Sequence, residues 1–277
     1  MFGRTKLLAL AGIAALGAMT AAPAMATAPM GFAGAFGGDY AHVSESNGGG
    51  SANAYGFNGS GAFGFGNMDL GGQLDFGYHS WDWSGSSSNV NTWNVGGSAF
   101  WAPMMGRAGG TVTYSSSSVG GGVDINVTSY GAFGEYYASD AITLAARGGG
   151  WSMNVDLSPG SYSDSGAYVG AALTGYVIPD FAIQAAIDYV GGINQGFGSD
   201  FNVTNFTIGG EYQFSESTPI ALNATYSYTD VSCSGCGHAS TWGIGLKYYT
   251  SQGTLVDHHR NGTLNWVANP ISTFLNF

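Results

Sequence analysis

Charged residues are scarce in this sequence, and basic residues are the scarcest. Only 8% of the 277 residues are charged, with 6 Lys and Arg against 17 Asp and Glu. Because nucleic-acid binding depends on basic clusters that contact phosphate, nucleic acid is not an expected partner. The sequence therefore points away from a large class of binding proteins before any motif is considered.

The first 26 residues are predicted to be a secretory signal peptide. Arg4 and Lys6 precede an apolar run over residues 7–19, and Ala24-Met25-Ala26 forms a small-x-small cleavage pattern. The run is shorter than the roughly 20 apolar residues that a membrane-spanning helix needs. Cleavage would leave 4 Lys and Arg against 17 Asp and Glu, a formal charge of −13.

Long uninterrupted apolar stretches are missing from the rest of the chain, which excludes helical membrane spans. The chain instead has 48 glycines together with many Ser, Thr, Asn, Tyr and Phe residues. This composition is unfavourable for helices and favours β-structure with tight turns.

Residues 68–80, MDLGGQLDFGYHS, alternate almost perfectly between apolar and polar side chains. Leu74 and Phe76 share one parity, and Gln73 and Asp75 share the other, as in a strand with one apolar and one wet face. Similar alternation predicts twelve strands, whose boundaries are approximate: 32–44, 53–65, 68–80, 90–102, 105–115, 123–137, 140–150, 166–178, 180–191, 201–214, 219–229 and 240–250. In the sixth and seventh, a change of parity and the run of glycines at 148–150 suggest bulges or a bend.

The predicted connections alternate between short and long. Pro103-Met104 and Pro179-Asp180 are tight turns, whereas residues 81–89 and 155–165 are longer Gly, Ser, Asn and Asp segments. Aromatic residues lie near both ends of the strands and would form two belts. Short periplasmic turns, longer extracellular loops and two aromatic belts are typical of membrane barrels.

These features resemble Gram-negative outer-membrane β-barrels and are similar to a small porin-like member of that class. The resemblance implies an all-β, transmembrane, antiparallel, up-and-down barrel of about 12 strands in the bacterial outer membrane, spanning residues 27–250. Its apolar parity would face lipid and contact lipopolysaccharide. Residues 251–277 would be a C-terminal tail, either periplasmic or folded into the lumen.

Placing the polar parity inward gives nine candidate pore-lining residues of both charge signs. Those toward the periplasmic mouth are Asp69, Arg107, Glu135, Glu211 and Lys247, and those nearer the middle are Asp39, Asp75, Arg147 and Asp188. They could line a water-filled constriction that prefers cations, because acids outnumber bases. Alternatively, the three basic residues could pair with carboxylates and close the lumen as a salt-bridged plug.

The two cysteines, Cys233 and Cys236, lie in a predicted extracellular loop, where a local disulfide is expected. A structural zinc site would need a fourth ligand beside these two and His238, so no metal is predicted. Near the C-terminus, DHHRNG at residues 257–262 lacks the carboxylate that a calcium loop requires at its twelfth position. We therefore expect His258 and His259 to be exposed tail residues.

No catalytic residues, cofactor or phosphate-binding glycine loop are indicated, and we expect a protein that is not an enzyme. The function that the sequence favours is a porin-like channel for passive diffusion of small hydrophilic solutes or ions, with a preference for cations. The alternative is a closed structural or adhesive barrel that acts through its extracellular loops. The pattern leaves the oligomeric state open, because an apolar outer face suits lipid and a neighbouring barrel equally.

Overall fold

The computed structural model describes residues 31–46, 50–65, 69–84, 89–119, 122–157, 160–194, 200–232 and 236–266. The predicted signal peptide, residues 1–26, lies outside them. This part of the chain forms twelve strands and one short helix. In chain order these are β1 (Phe32–Glu45), β2 (Ser51–Gly64), β3 (Leu70–Trp83), β4 (Val90–Trp101), β5 (Gly106–Val119), β6 (Val123–Ser139), β7 (Ile142–Leu157), β8 (Gly160–Ile178), β9 (Phe181–Asn194), β10 (Asp200–Ser215), β11 (Thr218–Ser232), β12 (His238–Tyr249) and α1 (Leu255–Asn261).

The sheet closes on itself. Each strand pairs antiparallel with its neighbours in sequence, and β1 also pairs with β12, from Ala35 opposite Tyr249 to Glu45 opposite Ala239. The predicted all-β, up-and-down barrel of twelve strands is confirmed. Among the described residues, closure leaves no unpaired strand edge, which is the condition that a sheet must meet in lipid.

The two ends of the barrel differ. We call the end where β1 begins and β12 ends the turn end, since residues 140–141, 179–180 and 216–217 form tight turns there. The opposite end is called the loop end.

Side chains alternate between an apolar outer surface and a mostly polar interior. On β3, Leu74 and Phe76 are 65% and 43% exposed, whereas Gln73 beside them is 1% exposed. The register carries this alternation around the wall: Gln73 lies opposite Ser98, and Ser98 opposite Thr111. The hydroxyl of Ser98 donates to that of Thr111 at 3.1 Å. Polar inward side chains thus satisfy one another across strands.

Exposed aromatic side chains lie at both ends of the outer surface. Trp101 and Tyr248 near the turn end are 53% and 48% exposed, and Tyr55 and Trp242 near the loop end are 61% and 47% exposed. The ring of Tyr40 contacts both of the latter, with centroids 5.2 Å and 5.4 Å apart. Such belts are typical of the two interfaces of a membrane barrel.

Loop-end connections are shorter than the sequence predicts. Residues 155–165 are predicted to be a loop, but β7 continues to Leu157 and β8 begins at Gly160. That prediction is wrong because polar residues there pair across strands, as where the Ser163 hydroxyl donates to Asn154 Oδ1 at 2.7 Å. Strands with polar side chains on both faces have water on both sides. The polar residues there therefore extend the β7–β8 hairpin instead of forming a loop.

β6 and β7 also keep their register where the sequence suggests a bulge. Their pairing is continuous along β6 from Val123 to Tyr137, and it passes through the glycines at 148–150 without a shift. The apolar parity changes for another reason: Val127 faces inward and is 7% exposed. The inner wall itself becomes apolar toward the loop end.

After β12 the chain returns into the turn end of the barrel. We call residues 251–266 the tail. A capping box begins α1: Thr254 Oγ1 accepts from the Asp257 N–H, and the Asp257 carboxylate accepts from the Thr254 N–H. No helix within the described ranges is long and apolar enough to cross a membrane.

Candidate functional site

The lumen brings most of the predicted pore-lining residues together. Eight of the nine lie on the inward parity of their strands, where strand pairing sets Arg107 opposite Glu135. Asp69 is the exception, because it lies in the exposed turn before β3 with a φ of 52°. It is not part of the lumen wall. A pore-lining role for the other eight stays a prediction.

Every predicted basic residue of the lumen pairs with a predicted carboxylate. Arg107 Nε lies 2.7 Å from Glu135 Oε2, and Lys247 Nζ lies 3.0 Å from Glu211 Oε2. The remaining arginine is paired in the same way, with a distance of 2.9 Å from Arg147 Nη2 to Asp188 Oδ1. The side chains of the two arginines are each 1% exposed. Charge in the part of the lumen nearer the turn end is thus largely neutralised in buried pairs.

The tail occupies the turn end of this lumen, and sequence reasoning missed its most buried charge. Arg260 is 1% exposed. Its Nη2 donates to the carbonyl oxygens of Ser139 at 2.7 Å and Ile142 at 3.2 Å, at the start of the β6–β7 hairpin. The guanidinium also lies over the rings of Tyr137 and Tyr176, at 4.8 Å and 5.2 Å. Arg260 is therefore anchored by the barrel wall.

The wall also holds the tail backbone. Arg107 Nη1 donates to the Gly262 carbonyl at 3.0 Å, and its Nη2 donates to the His259 carbonyl. Gln73 makes two bonds to one residue, accepting from the Leu264 N–H at 2.6 Å and donating to the Leu264 carbonyl at 3.1 Å. These contacts fix the path of the chain beyond α1.

Apolar contacts and one ring stacked on a guanidinium also hold the tail in the lumen. Leu264 is 2% exposed and packs with Phe100, Ala102 and Phe133. The indole of Trp266 lies over the Arg147 guanidinium at 4.0 Å, and Arg147 Nη1 also donates to the Trp266 carbonyl. Arg147 therefore joins the tail to its ion pair in the wall.

The two histidines of the tail are not exposed as predicted. His258 is 3% exposed, and its ring stacks on Tyr249 with centroids 4.1 Å apart. His259 Nε2 lies 3.5 Å from Glu211 Oε2. The prediction failed because it considered only the local sequence, although the capping pair Thr254 and Asp257 was a signal for a short helix.

A cavity of about 490 Å³ lies above the tail. Much of its wall is polar, with side chains from ten of the strands, and its floor includes Thr263, Asn265 and Trp266. On one side Asp39 Oδ1 accepts from Asn58 at 3.2 Å and its Oδ2 lies 3.1 Å from His79 Nε2. The cavity is thus bounded by the barrel wall and by the tail.

Asp75 adds a second carboxylate to the same side of the cavity. Its Oδ1 accepts from Ser60 at 2.6 Å and from Gln73 at 2.7 Å, while its buried Oδ2 has no hydrogen-bond partner within the described structure. No arginine or lysine pairs with Asp39 or Asp75 in the described residues. We call Asp39 and Asp75 the acidic wall.

The predicted disulfide falls partly outside the described residues. Cys233 is not among them, and Cys236 is described and is not a free thiol. The disulfide between the two stays a prediction. No group of three or more His, Cys, Asp or Glu side chains in the described ranges could hold a metal ion.

Burial of the tail has a consequence for its response to acid. Loss of hydration is the largest influence on His258, and the neighbouring His259 acts in the same direction; together they lower the pKa of His258 from 6.5 to about 4. Asp257, Glu211 and Asp180 act in the opposite direction but do not outweigh burial. The neutral imidazole is therefore the form that fits the docked tail.

We expect the docked tail to lose stability as the pH falls from 6.5 toward 4. A released tail would bind a proton on His258 in this window, whereas the docked tail does not, so acid favours release. Hydrogen exchange of the α1 amides at about pH 7 and about pH 5, corrected for intrinsic rates, measures this loss. A His258→Phe variant keeps a ring to stack on Tyr249 and should lose most of the acid response. An undiminished response in that variant would contradict the assignment to His258.

Comparisons with known proteins show the same fold at low sequence identity. No family model matches the chain, and no curated protein matches it. The translocator domain of the autotransporter NalP from Neisseria meningitidis is 16% identical, with a TM-score of 0.51 and coverage of 88% of this chain and 94% of that chain. The beta domain of the Bordetella autotransporter BrkA is 11% identical, with a TM-score of 0.51 and coverage of 78% and 98%. The KdgM porin is 14% identical, with a TM-score of 0.46 and coverage of 76% and 98%.

The likeness concerns the fold and agrees with the features of the chain itself. The sheet is closed, its outer surface is apolar with aromatic belts at both ends, and its interior is mostly polar. These are the properties of a barrel that spans a bilayer. The chain is accordingly a closed, twelve-stranded β-barrel of the bacterial outer membrane.

Proposed function

We propose that the protein is a narrow, porin-like channel for the passive diffusion of small hydrophilic solutes and ions across the outer membrane, with a preference for cations, and that it is not an enzyme. The observation that carries this proposal is the cavity of about 490 Å³ inside the barrel. A barrel with a purely structural role would be expected to fill its interior with side chains, as small barrels do.

The inner wall supports passage of polar solutes rather than apolar ones. Inward positions around the cavity carry hydroxyl and amide groups, among them Ser60, Thr92, Asn94, Gln184 and Thr225. These side chains are small or hydrogen-bonded to neighbours, and they can exchange hydrogen bonds with water or a passing solute. Trp81 and Trp266 also line the cavity, among these hydroxyl, amide and carboxylate side chains.

Cation preference is supported by how the charges are distributed. Arg107, Arg147 and Lys247 each have a carboxylate partner, so their positive charge is compensated locally. Asp39 and Asp75 have no arginine or lysine partner in the described residues. A cavity whose uncompensated charge is negative concentrates cations relative to anions.

A closed structural barrel is the second candidate, and the tail favours it. The tail lies in the turn end of the lumen together with the buried ion pairs, and this arrangement supports the alternative. Such a barrel would act through its loop end. On either proposal the outer surface would contact membrane lipid, with lipopolysaccharide against the loop-end aromatic belt that includes Tyr55 and Trp242.

Ion selectivity in planar bilayers tests the channel. Purified protein should give discrete conductance steps whose reversal potential in a salt gradient shows preference for cations. Replacing both residues of the acidic wall, Asp39→Asn with Asp75→Asn, should lower the cation-to-anion permeability ratio by roughly an order of magnitude, because the uncompensated negative charge is removed.

The matched control is Asp82→Asn, which removes the same charge from an exposed residue on the outward parity of β3. Its selectivity should equal that of the unaltered protein. Equal selectivity in the acidic-wall variant would refute the role of Asp39 and Asp75. Folded protein that inserts and stays electrically silent, with the tail docked or released, would instead favour the closed structural barrel.

A further inference from the structure

The tail has the contacts of a plug that the barrel can lose without losing its own structure. We propose that residues 253–266 form a releasable plug that closes the turn end of the lumen and keeps the channel shut while it is docked. The inference rests on the proposed channel function, and it adds a regulatory device to it. Its location is defined by the floor of the cavity, which includes Thr263, Asn265 and Trp266.

The arginines of the wall that hold the tail keep a partner when the tail leaves. Arg107 and Arg147 donate to tail carbonyl oxygens, but each also has a carboxylate of the wall, Glu135 or Asp188, within 3 Å. When the tail leaves, the two guanidinium groups keep these partners and gain water in place of the carbonyls. The wall is therefore not left with an uncompensated buried charge.

Two polar groups of the docked tail, in contrast, lack a hydrogen-bond partner in the described structure. His258 Nε2 and Arg260 Nη1 are buried without a hydrogen-bond partner in the described structure. A buried donor or acceptor that lacks a partner opposes burial, since it had water before docking. Release of the tail would return both groups to water. This cost offsets part of the gain from the contacts of Leu255 and Leu264, and it makes docking reversible.

The wall residues that hold the tail are distant from it in the sequence. Release of the tail therefore does not have to separate paired strands of the barrel. Gln73 and Leu264 are 191 positions apart, and Arg107 and Gly262 are 155 apart. In contrast, closure of the barrel uses the pairing of β1 with β12, which ends at Tyr249 before the tail begins. The plug can thus leave while all twelve strands stay paired.

The test is to expel the tail with one substitution. Leu264→Asp places a carboxylate in the apolar site formed by Phe100, Ala102 and Phe133, and Gln252→Glu is the matched control because it adds the same charge at an exposed position just before the plug. In bilayers, Leu264→Asp should raise the open fraction on the order of 100-fold, because an unpaired carboxylate loses its hydration in that site. Gln252→Glu should leave the open fraction unchanged.

Trypsin measures docking independently of conductance. It cleaves after arginine, and Arg260 is 1% exposed when the tail is docked. Folded native protein and Gln252→Glu should resist cleavage at Arg260, whereas Leu264→Asp should be cleaved rapidly. If Leu264→Asp does not fold, Gln73→Met provides a milder release by removing both hydrogen bonds to Leu264, with an open fraction higher by roughly 10-fold.

The possible failures are distinguishable. Equal conductance in all variants, or rapid cleavage at Arg260 in the native protein, would overturn the plug and leave the channel standing. Silence in every variant, combined with protection of Arg260 in the native protein and its cleavage in Leu264→Asp, would overturn the proposed channel. In that case the tail would have no gating role either, because there would be no channel to close.

Discussion

Replacing Gly149 by alanine is expected to prevent the barrel from folding or to destabilise it severely, whereas the same change at the adjacent Gly148 is expected to be harmless. A Cβ atom on Gly149 would lie 2.6 Å from the Cα of Gly131 and closer still to the carbonyl oxygen of Tyr130. Both obstacles are backbone, which cannot rotate away as a side chain could.

The reason is the close approach of the strands at this point of the wall. Gly131 on β6 lies directly opposite Gly149 on β7, and both are on the inward parity. Glycine in a barrel strand commonly marks a tight bend or a close approach of two backbones. We expect Gly149→Ala to cost about 3 kcal/mol or more, at the upper end of the range for overpacked sites.

Gly148 provides the control within the same run of glycines. A Cβ there would lie 3.4 Å from the Tyr168 carbonyl oxygen and 3.9 Å from Val169 Cγ2, which is ordinary contact. Gly148→Ala should change the free energy of unfolding by about 0.5 kcal/mol or less. The folded fraction after refolding into detergent, followed by urea denaturation, measures both variants. Comparable stability of the two would contradict the close approach.

The second large effect is expected from breaking the ion pair of Arg147 and Asp188. Asp188→Asn should destabilise the protein by about 3 to 5 kcal/mol, the usual cost of removing one partner of a buried pair. Asp188 and Arg147 are 3% and 4% exposed, so the remaining guanidinium would stay buried without its counter-charge. Both its Nε and its Nη2 donate to Asp188 Oδ1, at 3.1 Å and 2.9 Å.

A double variant separates the pair from its surroundings. Arg147→Met with Asp188→Leu removes both charges and keeps most of the volume, so its stability should be much closer to that of the unaltered protein. Urea denaturation of the single and double variants in the same detergent gives the comparison. A double variant as unstable as Asp188→Asn would mean that the lost contacts to Trp266, rather than an unpaired charge, dominate.

The local sequence was sufficient to predict the barrel, because the relevant signal is local. Alternation places Leu74 and Phe76 on one face and Gln73 and Asp75 on the other without reference to any distant residue. The predicted ninth strand, 180–191, corresponds to β9 at Phe181–Asn194. Boundaries at the loop end were less well predicted, because Ser, Thr and Asn form paired strands there as readily as they form loops.

The residues of the lumen were also predictable, but their partners were not. Parity alone selected Arg147 and Asp188 as inward, yet the two are 41 positions apart and nothing in the sequence joins them. The exception, Asp69, has the correct parity but precedes the strand, where parity no longer defines a face. The burial of Arg260 against the barrel wall was not predicted, because its partners Ser139 and Ile142 lie about one hundred and twenty positions away.

The sequence by itself determined that this chain forms β-strands with an apolar outside and a mostly polar inside, since strand periodicity and the two surfaces are properties of neighbouring residues. Only the tertiary structure decided which charges neutralise one another, and that the chain after β12 folds back to occupy the turn end. Those outcomes depend on the distances between side chains brought together by closure, and closure is a property of the whole sheet.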